Sequence, residues 1–258
     1  MKLLEYIAHG AAGEAEIMVN PSHEVRRVEA GGRLSLVTVH TAAGVSSLEI
    51  TVGEGAALHL VEFFCGGAVG ACRVRQAASS LCDITSVVTG SAEPGYSVGL
   101  DGAGAENNLR GAFIAGGVER VRFGLRVSHN VPKCTSNSLV KGVAGGNAVC
   151  EFNGLVYVAQ DAQQTDARQT SRNIVLGGGA RIETKPQLEI YADDVKCSHG
   201  ATVGQLDDDA ILYMRQRGLS EAQARRLQIE GFVRDIVSQA GPLAEALAEE
   251  LTAKLEKL

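Results

Sequence analysis

The sequence predicts a mainly β protein: a parallel β-helix core followed by a C-terminal α-helical module. Between about residues 25 and 206 apolar side chains recur with period two, glycine-rich turns interrupt those runs, and beyond Leu206 the spacing becomes helical. Thirty-one glycines, no tryptophan and 4% aromatic residues suit short stacked strands with tight corners better than a sandwich built around large rings. The pattern alone leaves a jelly roll or sandwich open.

Residues 1–20 read as a short N-terminal segment in which Lys2–His9 can form one helix, 21–205 as the β core and 206–258 as the helical module. Within the core, Leu34 and Leu36, then Leu48, Ile50 and Val52, alternate with polar neighbours. The clearest strand sets Val121, Phe123, Leu125 and Val127 against Arg120, Arg122, Gly124 and Arg126, so one face packs and the other is wet. The arginine face reads first as solvated surface, and second as a contact for an acidic partner. Turns are expected at Ala30–Gly32, Gly53–Gly55, Gly66–Gly67, Asp101–Gly102, Gly116–Gly117, Gly145–Asn147 and Gly177–Gly179. They fall roughly ten to twenty residues apart, too unevenly for a strict repeat.

Past Leu206, Asp207, Asp208 and Asp209 suit the positive start of a helix through Ile211, Leu212, Met214 and Arg215, with Gly218 ending it. Ser220 and Gln223 form a capping box for a second helix carrying Leu227, Val233, Ile236 and Val237. Gly241–Pro242 breaks that helix, and Leu243, Leu247, Leu251 and Leu255 stripe a third. Such a stripe reads as the face that packs on the rest of the fold, with partner docking as the alternative.

A net charge of −6 disfavours nucleic acid and anionic membranes as partners. No apolar run approaches the ~18 residues of a membrane helix. Met1–Glu16 lacks the basic, apolar, small-residue series of a signal peptide, so the cytoplasm is the expected location. Six cysteines, at 65, 72, 82, 134, 150 and 197, form no CxxC pair and are expected to be reduced, four or more of them buried. Cys134 and Cys150 read as structural, with a sulfur relay as the sharper alternative. No GxxxxGK[ST] phosphate cradle occurs, so nucleotide work would fall to a partner.

The run Lys185–Gly200 carries the most chemistry. Cys197 and His199 stand two residues apart and in a strand share one face, which makes a soft-metal or sulfur site possible. Asp193 and Asp194 precede them, yet the set matches no structural zinc spacing. On the residues alone, a half-buried strand with a core cysteine and a surface histidine fits as well.

Longer strings carry a resemblance. QTDARQTSRN at 164–173, PQLEIYADDVKCSHGATVG at 186–204, YMRQRGLS at 213–220 and EGF at 230–232 resemble the SufB/SufD family of iron–sulfur cluster assembly proteins, on its SufD side. The match covers about residues 135 to 237. The resemblance implies a right-handed parallel β-helix and a non-enzymatic scaffold subunit. It further implies pairing with a SufB-like chain, or a second copy of itself, through the β-helix. Helices that bind the ABC-type ATPase SufC would follow, with Asp209, Leu212, Tyr213, Arg217 and Gly218 as docking residues. It places His199, with Cys197 beside it, near a transient iron–sulfur cluster at the pairing seam, where both are candidate iron ligands. SufB carries a cysteine where Thr170 stands and a glutamate where Gly200 follows His199, so the resemblance is to the SufD half. Most relatives carry a helical region ahead of the β-helix, so a short form lacking most of it is expected. A remote alternative of another class is a β-helical polysaccharide hydrolase or lyase using Asp166, Asp193 or Asp194, disfavoured by the scarcity of aromatic sugar platforms.

Overall fold

The computed structural model describes residues 2–8 and 14–258. Fifteen strands alternate between two sheets that are parallel throughout. The eight-stranded sheet runs β1 (Glu16–Val19), β3 (Arg33–His40), β5 (Ala57–Phe64), β7 (Leu81–Val88), β9 (Glu106–Ala115), β11 (Thr135–Gly145), β13 (Thr165–Leu176), β15 (Val195–Gly204). The seven-stranded sheet holds the strands between: β2 (His23–Val28), β4 (Gly44–Val52), β6 (Ala68–Gln76), β8 (Glu93–Leu100), β10 (Arg120–His129), β12 (Val149–Val158) and β14 (Arg181–Ile190). A chain that adds one strand to each sheet in turn, always in the same direction, is a parallel β-helix; the antiparallel sandwich and jelly roll are excluded.

A repeat does exist, and it drifts. Arg33 lies beside Ala57 and Ala57 beside Leu81, a coil of 24 residues. Further on Glu106 lies beside Thr135, Thr165 beside Val195 and Val149 beside Arg181, coils of 29, 30 and 32. Strands lengthen with the coils, which is why a fixed period is not legible in the sequence.

Alternation sends every second side chain inward. Rings fill the interior where the facing residue is glycine: a Cβ on Gly70 would sit 2.8 Å from the Phe64 ring, one on Gly111 2.7 Å from Phe123 and one on Gly142 2.1 Å from Phe113. Large against small, across the two sheets for Gly70 and Gly111 and between neighbouring strands of one sheet for Gly142, gives a close-packed core with few aromatics. On β10 all four predicted apolar residues are buried and Arg120, Arg122 and Arg126 are exposed. Arg122 faces Glu93 at 3.4 Å, and Arg126 lies over the Tyr157 ring at 5.7 Å.

The helices follow the expected punctuation. α1 covers Lys2–Ala8; His9, the last residue of the expected helix, lies outside the described residues. Asp207 caps α2 (Asp208–Gln216), accepting from the Ala210 amide at 3.0 Å. Gly218, at φ +97°, turns the chain in a conformation that favours glycine. The Ser220–Gln223 capping box opens α3 (Glu221–Val237), and α4 spans Ala244–Leu255.

α1, α3 and α4 lie against the outer face of the eight-stranded sheet, and α2 packs on α3. Val37, Val39, Val61, Phe63, Val87, Ala112, Ile114 and Val143, which point outward, join Leu3 and the apolar faces of α3 and α4 in one buried cluster. Leu243, Leu247, Leu251 and Leu255 are all buried in it, so the leucine stripe packs on the fold. Lys141, on the outer face of β11, fixes α3 with its ammonium 2.8 Å from the Asp235 carboxylate and 2.7 Å from the Phe232 carbonyl. No helix among the described residues is long and apolar enough to cross a membrane.

Candidate functional site at the open end of the β-helix

β14 and β15 are the last strands of their sheets, and each is hydrogen-bonded on one side only, to β12 and β13. β15 is exposed almost throughout, since no further coil covers it. A bare edge of ten residues presents a row of unpaired backbone N–H and C=O groups, the arrangement that accepts another strand. Lys196 is its one lysine and it holds no proline, whereas β14 carries Lys185 and Pro186 in its middle.

Cys197 and His199 both lie on β15 with inward parity, as expected. Cys197 is half-buried and packs with Val195 and Leu188 against Val156, Val158 and Ala167 in a small cluster that closes this end of the interior. Burial pushes its thiol up and the neighbouring Asp166 adds to that, against a hydrogen bond to the Ala167 backbone. It is a poor free thiolate. His199 is exposed. Among the described residues no three His, Cys, Asp or Glu side chains converge on a metal-sized site.

Strand register aligns the neighbours of His199. Leu36, Leu60, Ile84, Leu109, Ser138, Gln169 and His199 stand side by side along seven successive strands of the eight-stranded sheet. The row is aliphatic for four strands and polar for the last three. Gln169 is 1% exposed, and neither its amide nitrogen nor its oxygen has a partner among the described residues; the Ser138 hydroxyl and the Asn173 and Thr184 oxygens share that condition. Its amide reaches across to Gly154 on the opposite sheet, where a Cβ would sit 2.6 Å from the Gln169 oxygen. Sequence reasoning placed Gln169 inside a motif and gave it no role. The available signal was the inward parity of Gln169, Ser171 and Asn173, which puts polar residues where hydropathy expects apolar ones.

Thr170 and Gly200, the two departures from the SufB pattern, are register partners with outward parity. Asp193 and Asp194 are exposed just ahead of β15, and Asp166 pairs with Arg168 at 3.4 Å. Cys134 and Cys150 are fully buried; burial raises both, Cys150 to about 12.

The docking candidates lie on α2 and the turn that follows it, four residues beyond the end of β15. α2 buries Ile211 but leaves Leu212 and Tyr213 more than half exposed, and Arg217 lies over the Tyr213 ring at 4.5 Å. Asp209 and Gly218 are exposed on the same segment.

Comparison with known proteins bears on this arrangement. The family model described as the SufBD core domain of SUF-system FeS cluster assembly matches residues 9–232. The iron–sulfur cluster assembly protein SufD of Escherichia coli is 46% identical over 124 residues, 48% of this chain and 28% of that protein. An iron–sulfur cluster assembly SufBD family protein of Synechocystis is 48% identical over 118 residues, 46% of this chain and 26% of its own length. A SufBD family protein of Mycobacterium leprae is 34% identical over 167 residues, 62% of this chain and 42% of that protein. The chain spans less than half the length of these curated relatives.

Proposed function

The chain belongs to the SufBD core family of SUF-system iron–sulfur cluster assembly, and on that premise we propose that it is a SufD-like, non-enzymatic scaffold subunit acting in the cytoplasm. Residues 21–205 pair with a SufB-like chain through the open end of the β-helix, and residues 206–258 dock a SufC-type ATPase through α2. The iron–sulfur cluster is cargo, built at the seam with His199 and Cys197 as this chain's share of its ligands. Neutral imidazole and thiolate both bind iron, and a mixed set holds a cluster less firmly than four thiolates, which suits onward transfer.

The observation that carries this reading is the bare ten-residue edge of β15 with His199 on it. Thr170 and Gly200 side by side support the SufD half over a self-sufficient scaffold, since that pair offers neither thiolate nor carboxylate. The exposed Leu212 and Tyr213 support α2 as the docking surface.

Co-expression with SufB-like and SufC-like partners tests it. The expected product is a stable complex carrying iron and sulfide, and His199→Ala lowers that content by about tenfold. Unchanged iron and sulfide in the variant removes His199 from the mechanism. A lone chain that dimerises in light scattering and takes up a cluster on anaerobic reconstitution would favour the homodimeric reading, in which two copies of Cys197 and His199 supply the ligands.

A further inference from the structure

Gln169 presents a problem that the rest of the fold does not explain. Among the described residues it is the one side chain with both polar ends buried and unpartnered. Burying an unpaired amide is unfavourable, and such groups signal a partner that arrives from elsewhere. In the row of register partners the next side chain outward is His199, on the neighbouring strand and with the same inward parity. In-register side chains on adjacent strands stand about 4.8 Å apart at their roots, within reach of a hydrogen bond once either rotates. The other neighbours leave at least one end of the amide unmet: the unpartnered Ser138 hydroxyl beneath can take one end only, Gly154 opposite has no side chain, and Ala167 and Ser171 flank Gln169 on its own strand.

We infer that Gln169 is the positioning residue for His199: its buried carboxamide takes up one ring nitrogen of the imidazole, directly or through one bridging water, and so fixes which nitrogen faces outward. An amide suits this because it can accept from a ring N–H or donate to a bare ring nitrogen, and it adds no charge beneath the site. A metal-ligating histidine is usually oriented by the hydrogen bond of its other nitrogen. Gly154 is part of the device, since any larger residue would displace the amide from its seat.

This rests on His199 being the imidazole of the proposed site, and its test is separable from that reading. Nitrogen NMR of the ring in the full chain alone, with the His199 signals assigned by their loss in His199→Asn, reports the tautomer ratio. One tautomer is expected to predominate in the wild type. Gln169→Leu, which removes both polar ends, shifts the ratio toward that of free imidazole by about threefold or more. Gln169→Glu restores a single tautomer with its N–H toward residue 169. Coincident ring signals in the wild type and Gln169→Leu overturn the inference. If Gln169→Leu does not fold, Gly154→Ala decides in the same way, because it moves the amide and leaves its chemistry intact. A tautomer shift together with unchanged cluster content in His199→Ala keeps this inference and sinks the functional reading; the opposite pair of results does the reverse.

Discussion

At the N-terminal end of the β-helix the outermost strands, β1 and β2, are four and six residues long, and Arg26 is held there by Glu16 and by Glu24 at 2.9 Å. At the C-terminal end the outermost strands are ten residues each; β14 carries Arg181, Glu183, Lys185 and Glu189, but β15 has Lys196 as its one acidic or basic side chain apart from the histidine. Short, charged edges are how sheet proteins discourage pairing; long, flat, neutral ones invite it. The interior follows the same gradient. Near the N-terminal end the buried Glu62 accepts a hydrogen bond from Thr38 at 2.8 Å, with His40 at 3.5 Å, whereas beneath β15 Gln169 has no partner among the described residues.

The largest effect that would break this contrast is on association. Ser198→Lys with Thr202→Lys, both with outward parity on β15, is expected to weaken pairing with a SufB-like chain or a second copy by about 100-fold or more, read by sedimentation. The same charge at the exposed Val19 and Val25 of the opposite end should leave association unchanged. If the N-terminal pair weakens it equally, the two ends do not differ as described.

Acid sharpens the view of what lies between the ends. His129 points into the interior, fully buried, with one ring nitrogen 2.8 Å from the Ser136 hydroxyl and the other unpartnered; burial holds its pKa down at about 4. The unfolded chain, with histidine near 6.5, therefore binds the extra proton first as pH falls. The native state keeps its full advantage above pH 6.5 and loses about 3 kcal/mol of it between 6.5 and 4. Denaturant melts across that window, compared with His129→Gln, should show the loss in the wild type and a flatter profile in the variant.

A smaller effect lies beneath β15. Gln169→Leu should lower stability by about 1 kcal/mol in chemical denaturation, because the hydrogen bond that the amide makes to His199 is lost. A gain of stability would mean that the amide is unpaired in the lone chain. Smallest of all, Arg26→Ala should cost less than about 1 kcal/mol, the usual worth of ion pairs near the surface. A larger cost would make the charged N-terminal edge structural as well as protective.

Much of this was legible in the sequence. Period two on β10, the Asp207 cap, the Ser220–Gln223 box and the buried leucine stripe of α4 each follow from local chemistry that the fold does not override. The shared parity of Cys197 and His199 also follows from strand geometry alone. The coil repeat was hidden because stacking constrains only inwardness and size, so a single row can read Leu, Ile, Leu, Ser, Gln and His. The clamp of Lys141 on Asp235 joins residues 94 apart, and no local pattern announces it. Gln169 stayed silent because β13 is polar on both faces, with Arg168 and Arg172 outside and Gln169, Ser171 and Asn173 inside, so the amphipathic signal vanishes where the site begins.

The lengthening of the coils has a consequence for assembly. Strands that grow from eight residues to ten widen the solenoid by about 7 Å between β5 and β15, at about 3.3 Å per residue, so its two mouths have different calibres. A second copy offering its narrow mouth, with strands of four and six residues, would leave much of the wide rim unmatched. On the proposed pairing, head-to-tail stacking, the route by which solenoids grow into fibres, would meet unequal rims, whereas wide rim against wide rim would match and close a pair. In that assembly the flare would serve as a gauge of the partner's width.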